Sequence, residues 1–242
     1  MLTRFSLIAL LLFACPVVAQ NAQPGWTADS TTGCRVWNTL PQPNETVTWS
    51  GVCSNGFAQG RGVLQWFANG KPTDRYEGEY RDGRLNGRGV FTWANGNRYE
   101  GEYRDGDRNG HGRLTRANGD RYEGEFRNGK ENGQGVSTRA NGDRYEGEFR
   151  DGRLNGRGVF TSKNGNRYEG EFRDGRENGR AVFTWANGDR YEGEFRDGKP
   201  NGTGTVRQVG GSTFTGTWMN GCFRQGERKA WIGTTAKECG FD

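Results

Sequence analysis

The sequence predicts an all-β protein, an elongated single-layer antiparallel meander of stacked hairpins. Three observations predict it. A 23-residue unit opening at Tyr76 restarts at Tyr99, Tyr122, Tyr145, Tyr168 and Tyr191. Within each unit, aromatic and charged residues alternate with the two-residue period of a strand. Composition gives the third observation. Only 31% of the 242 residues are apolar and 42 are glycine. That is too little for an ordinary core, whereas stacked units need only a thin core shared between neighbours.

The chain opens with a segment that reads as a signal peptide over residues 1–19. Arg4 precedes an apolar run from Phe5 to Ala14, and Val17-Val18-Ala19 offers small residues before a cut at Gln20. The rival reading is a lipid anchor at Cys15, in the loosely lipobox-like Leu12-Phe13-Ala14-Cys15. Bulky Phe13 disfavours it. The apolar run is too short to span a bilayer. The expected destination is therefore the periplasm or the exterior.

Cleavage there leaves Cys34, Cys53, Cys222 and Cys239, an even number in an exported chain. Three connectivities exist. Two cysteines at each end of the array favour Cys34–Cys53 and Cys222–Cys239. A site made of four thiolates would favour shorter spacings, so no metal is expected. The formal charge of +5 is mildly basic. It permits attraction to anionic lipid or an envelope polymer. Nucleic acid is not an expected partner outside the cytoplasm.

Residues 20–48 read as a capping segment, with Pro24, Pro41, Pro43 and a short strand around Cys34–Trp37. Such a cap covers the open edge of the first unit. Residues 49–233 form the array, in units starting at 49, 76, 99, 122, 145, 168, 191 and 214. The first interval is longer, with extra residues around Phe67 and at Lys71–Asp74. The last unit slips in register after Gly221. Ala230–Ile232 reads as a closing strand, and residues 234–242 form a tail.

Inside one unit, Tyr76, Gly78 and Tyr80 share a face opposite Glu77, Glu79 and Arg81. Asp82 to Gly87 is rich in turn formers. Gly87, Gly89, Phe91 and Trp93 then share one face of a second strand. Asn95-Gly96 supplies the next turn. Glycine weakens a strand, but here each glycine lets a ring lie over bare backbone. Roughly sixteen strands at about 4.8 Å spacing extend about 75 Å.

Tyr76-Glu77-Gly78-Glu79-Tyr80, Gly83, Asn86-Gly87-Arg88-Gly89, Phe91, Trp93 and Asn95-Gly96 closely resemble the MORN repeat. The resemblance covers Trp49 to about Gly233 and identifies the chain as an exported, bacterial MORN protein. It implies an extended platform that binds a protein partner or self-associates, and it allows association with phospholipid. Similar repeats precede the catalytic domain of some phosphatidylinositol phosphate kinases. Here a kinase label would reflect the repeats alone.

Several residues depart from the pattern. Ala181 replaces a glycine, and Cys53 replaces an aromatic residue. Arg116, Arg139 and Ser162 stand where other units carry Trp93 and Trp185. That substitution predicts a basic notch able to meet an anion. The groove rings Tyr76, Tyr99, Tyr122, Tyr145, Tyr168 and Tyr191, with Trp93 and Trp185, are the expected contact surface. Packing on glycine is the competing role of each ring. No catalytic constellation or cofactor motif is present. The sole histidine, His111, occupies a position held by Arg88 and Arg157 elsewhere and reads as a surface variant. The recurring Glu-x-Glu-x-Arg reads as self-neutralising surface charge rather than a calcium ladder. The expected function is a non-enzymatic interaction or scaffold module of the cell envelope. The alternative is a module bound to a membrane surface or anionic lipid.

Overall fold

The computed structural model describes residues 24–241. The proposed signal peptide, the Cys15 anchor and the start of the leader lie outside them. Twenty strands are present among the described residues. The leader gives β1 (Gly25–Ala28), β2 (Arg35–Asn38) and β3 (Glu45–Trp49). Then come β4 (Val52–Ser54), the long β5 (Phe57–Ala68), β6 (Lys71–Arg81) and β7 (Arg84–Thr92). Five copies of the same hairpin follow. They are β8 (Arg98–Arg104) with β9 (Asp107–Thr115), and β10 (Arg121–Arg127) with β11 (Lys130–Thr138). Next are β12 (Arg144–Arg150) with β13 (Arg153–Thr161), and β14 (Arg167–Arg173) with β15 (Arg176–Thr184). The last copy is β16 (Arg190–Arg196) with β17 (Lys199–Arg207). The chain ends in β18 (Thr213–Met219), β19 (Cys222–Gln225) and β20 (Arg228–Trp231).

From β5 to β20 each strand pairs antiparallel with the next, so the sheet is an open meander. The strand count exceeds the expected sixteen or so because the leader forms β1 and β2 and the tail adds β20. The first unit's opening strand is also split into β3 and β4. The one parallel contact between strands joins β2 to β5 at Arg35 and Phe57. It lets the β1–β2 hairpin fold across the end of the array, where Trp37 N–H donates to Gly83 O at 2.7 Å. The cap is pinned by Asp29, whose carboxylate accepts from Trp49 N–H at 2.8 Å and Thr31 N–H at 2.7 Å. Disulfides join Cys34 to Cys53 and Cys222 to Cys239, with Cα atoms 5.7 and 5.5 Å apart.

One turn is tighter than the sequence suggests. Asp82 to Gly87 reads as a six-residue connection, yet only Asp82 and Gly83 form it. Both have positive φ, 49° and 74°. This two-residue turn matches strand twist, and β7 begins at once. The remaining turn-forming residues, Asn86 and Gly87, make a bulge. Register shifts between Gly78 and Glu79, and Gly87 has φ +63°. Equivalent bulges recur at Gly101/Tyr103, Gly124/Phe126, Gly147/Phe149, Gly170/Glu171 and Gly193/Phe195. Bulges bend strands. A bulge at the same place in every hairpin therefore makes a crease along the whole sheet.

Tyrosines line the inside of that crease. Tyr76, Tyr99, Tyr168 and Tyr191 are fully buried, and Tyr122 and Tyr145 nearly so. Each ring lies over a glycine pair facing across two strands, except Tyr168, where Ala181 faces Gly170. A Cβ on Gly135 would sit 2.5 Å from Tyr122 Oη. Edge-to-face contacts link each ring to aromatic residues on both sides, as Tyr99 meets Tyr103 at 5.2 Å and Phe126 at 5.0 Å. Pairs of this geometry add about 0.5–1.5 kcal/mol beyond area burial. The hydroxyl of each of these six tyrosines donates to the carbonyl three residues on, as Tyr122 Oη does to Glu125 O at 2.9 Å.

Candidate functional site

The six tyrosines predicted as contact residues are structural. Tyr76, Tyr99, Tyr122, Tyr145, Tyr168 and Tyr191 are at most 3% exposed and offer no ring face to a partner. Burial also pushes the Tyr99 and Tyr145 hydroxyls up to about 12, which keeps these groups neutral in the core. Sequence parity put these rings on the aromatic face correctly. It could not show that the crease closes over them.

What remains accessible on that face lies toward the Asn-Gly turns. Trp93 and Trp185 are half-buried, as are Phe91, Phe160 and Phe183. They form two separate patches. Phe91 packs 5.5 Å from Trp66 and 4.6 Å from Trp93. Phe183 packs 4.7 Å from Trp185. Strands β7 and β15, which end just before the two tryptophans, are eight strand spacings apart, roughly 38 Å.

Between the patches stand Arg116, Ser137, Arg139 and Ser162. Neither arginine presents an unopposed charge. Arg116 bonds Glu131 at 3.0 Å, and Arg139 lies 3.8 Å from Asp143. The expected anion notch is thus already supplied with carboxylates, because Glu131 occupies the position of Leu85 and Leu154 on the same face. Arg108 takes that position in the preceding unit, a residue that sequence reading did not single out. Its guanidinium carbon lies 5.3 Å from the Phe126 centroid and 5.6 Å from that of Tyr99. The signal was its alignment with Leu85.

The opposite face is a shallow trough of about 1420 Å³ with walls of alternating sign. Its charges pair along the strands. Arg75–Glu77 lie 3.0 Å apart, Arg98–Glu100 2.7 Å and Arg144–Glu146 2.7 Å, and Arg167 also meets Glu169. The second glutamate of each unit has another task. Glu125 lies over the bulge glycine Gly133 and accepts from Gln134 N–H at 3.1 Å, as Glu148 does from Arg157 N–H. His111 sits on the trough wall beside Glu102, which accepts from its backbone N–H at 3.3 Å. Among the described residues no three His, Cys, Asp or Glu side chains converge as metal ligands would.

The model of the MORN repeat matches residues 54–71, 76–98, 99–121, 122–144, 145–167, 168–190 and 191–213. The chain belongs to the MORN repeat family. The MORN architecture continues beyond the match at both ends. Trp49 takes the tyrosine's place in the first unit, with its Nε1–H donating to Val52 O at 3.0 Å. After residue 213, β18 and β19 extend the same meander. No curated protein matches the sequence. Among similar solved structures is the SAS-4 (dCPAP) TCP domain of Drosophila melanogaster, in complex with a proline-rich motif of Ana2 (dSTIL). It shares 15% identity over 55% of the MORN chain and 85% of its own, with a TM-score of 0.33. That likeness is too loose to bear on function.

Proposed function

We propose that this MORN protein is a non-enzymatic interaction module, exported to an oxidising compartment, that docks a protein partner on its aromatic face. One observation carries the reading. From unit to unit, the tyrosines, their glycines and the tight turns barely change, and all of them build the fold. Two of the positions that change most share one accessible face and exchange apolar for charged residues there, whereas the variable series Arg88, His111 and Gln134 on the other face stays polar. Trp93, Arg116, Arg139, Ser162 and Trp185 form one series, and Leu85, Arg108, Glu131, Leu154 and Glu177 the other. Half-buried tryptophans flanking a polar waist are the kind of anchors that interfaces use. The two disulfides fit an exported, oxidising setting.

Affinity capture on the immobilised protein from an envelope extract tests this. Proteins retained by the native chain should be lost with a W93A/W185A variant and kept with an R98Q/R144Q variant of the charged face. Equal retention by all three would sink the proposal. Binding to anionic membranes is the second reading, motivated by the arginine row from Arg75 to Arg190. Nearby glutamates neutralise that row. Firm flotation with anionic vesicles, abolished by salt, would replace the first reading with the second.

A further inference from the structure

The rim made by the two-residue turn at Asp82-Gly83 and its counterparts carries charge that the fold does not use. In the tight hairpins the residues flanking the turn stand directly opposite each other. Arg127 faces Lys130, Arg150 faces Arg153, Arg173 faces Arg176 and Arg196 faces Lys199. Like charges in directly opposed positions destabilise a strand pair. Four consecutive hairpins nevertheless carry them, and none of these eight side chains makes an ion pair. The sole side-chain partner among them is Asn178, which accepts from Arg173. Asp151, Asp174 and Asp197 at the turn tips offset three of the eight charges, and the Glu131 and Glu177 carboxylates reach the Gly152 and Gly198 turns, so the rim stays net positive.

The two preceding hairpins are composed differently. Arg104 faces Asp107, an opposite-charge pair. Arg84 faces Arg81 but lies over the Trp37 ring at 4.3 Å, while Arg81 bonds Asp105 at 3.3 Å. In the trough, Arg98, Arg113 and Arg144 are paired with glutamates, while Arg61, Arg88 and Arg121 are not. What sets the rim apart is that its cations stand directly opposite one another in four consecutive turns.

We propose that this rim, from Arg127 to Lys199, is a binding site for a linear polyanion bearing regularly spaced phosphate groups. Basic pairs recur every two strands, about 9.6 Å, over roughly 30 Å. The rim is only one pair of side chains wide. Sheets also twist by roughly 20° per strand. Four hairpins therefore turn through well over a right angle. A flexible chain can follow such a line and meet every pair, while a flat bilayer touches one or two hairpins at a time. Binding of this kind releases counterions and weakens steeply with salt.

The test uses the full chain and long-chain inorganic polyphosphate, followed by fluorescence anisotropy across a salt series. The native protein should bind, and R127Q/K130Q/R150Q/R153Q should bind at least tenfold more weakly. At about 0.7 per lost contact, its salt slope should fall by roughly 3. The variant removes repulsion between opposed cations, so its melting temperature should hold or rise, which separates lost binding from lost folding. A matched R98Q/R121Q/R144Q/R167Q variant in the trough should change affinity less than threefold. Three results would overturn the proposal. One is no binding by the native chain. Another is an equal loss in the trough variant, which would mean diffuse attraction by net charge. The third is equally tight, rim-dependent binding to phosphatidylglycerol vesicles, which would mean a membrane surface instead.

Discussion

Both long rims of this sheet are lines of tight turns, and successive turns are tied together on each. The bond differs. On the rim carrying the Asn-Gly tips, a side chain makes it. Asp74, Asn97, Asp120, Asp143, Asn166 and Asp189 each accept from the backbone N–H twenty residues on, at 2.8–3.0 Å. On the opposite rim the backbone makes it. Gly106, Gly129, Gly152, Gly175, Gly198 and Gly221 donate to carbonyls of the preceding unit at 2.8–3.0 Å. A rim held by side chains is committed to carboxamides and carboxylates at the stapling position. A rim held by backbone leaves its side chains free to vary, and there basic residues accumulate. The difference teaches where a repeat protein of this kind has room for function beyond its own folding.

The deepest cut strikes the crease from which both rims hang. A Cβ on Gly112 would sit 2.5 Å from Tyr99 Cζ, so Gly112→Val should cost about 3 kcal/mol in urea unfolding. Amide exchange should accelerate on both rims together. A cost below about 1 kcal/mol would mean that the rims hold the array without the tyrosines.

Extremes of pH should separate the rims. Buried Tyr99 and Tyr145 have hydroxyls raised to about 12 from an ordinary value near 10. Their contribution is fully present below about pH 10 and is lost as pH rises through 12. Alkaline unfolding followed by circular dichroism should thus take both rims at once. Acid acts on one rim. Hydrogen bonds from the Ala140 and Lys163 amides hold the Asp120 and Asp143 carboxyls below their usual values. That stability is present above the ordinary carboxylate pKa and is lost as pH falls through the lowered one. The Ala140 and Lys163 amides should lose exchange protection in acid before the Gly152 amide does.

Smaller effects sharpen the contrast. Asn166→Ala removes one staple and should cost about 1 kcal/mol, exposing the Ala186 amide while Gly175 stays protected. Loss at both amides would show that the rims are coupled. R150Q/R153Q should act in the opposite direction, stabilising by a few tenths of a kcal/mol as opposed like charges are removed. A lower melting temperature would reveal an unrecognised partner for those arginines.

Much of the fold was legible because the repeat averages out accident. The alternation of Tyr76, Gly78 and Tyr80 with Glu77, Glu79 and Arg81 names the faces. Asn95-Gly96 names a turn. The paired cysteines at each end name the disulfides. The candidate site was less legible. Tyr99 and Trp93 look equally available in a list of aromatics on one face, yet one is sealed and the other half-open. The difference lies in the bulge at Gly87 and its counterparts, and Asn86-Gly87 reads locally as part of a turn. Glu131 opposite Arg116 was equally hidden, because the two are fifteen residues apart and meet only across strands.

The sequence by itself determined the repeat, the alternation and the rule that a ring needs a glycine beside it, since these depend on local period and local sterics. Only the tertiary structure decided that the sheet creases over its tyrosines and that one rim is stapled by side chains and the other by backbone. It also decided which arginines are left unpaired. Those outcomes depend on which neighbours meet across strands, and that is fixed by register and bulges rather than by the order of residues within any one unit.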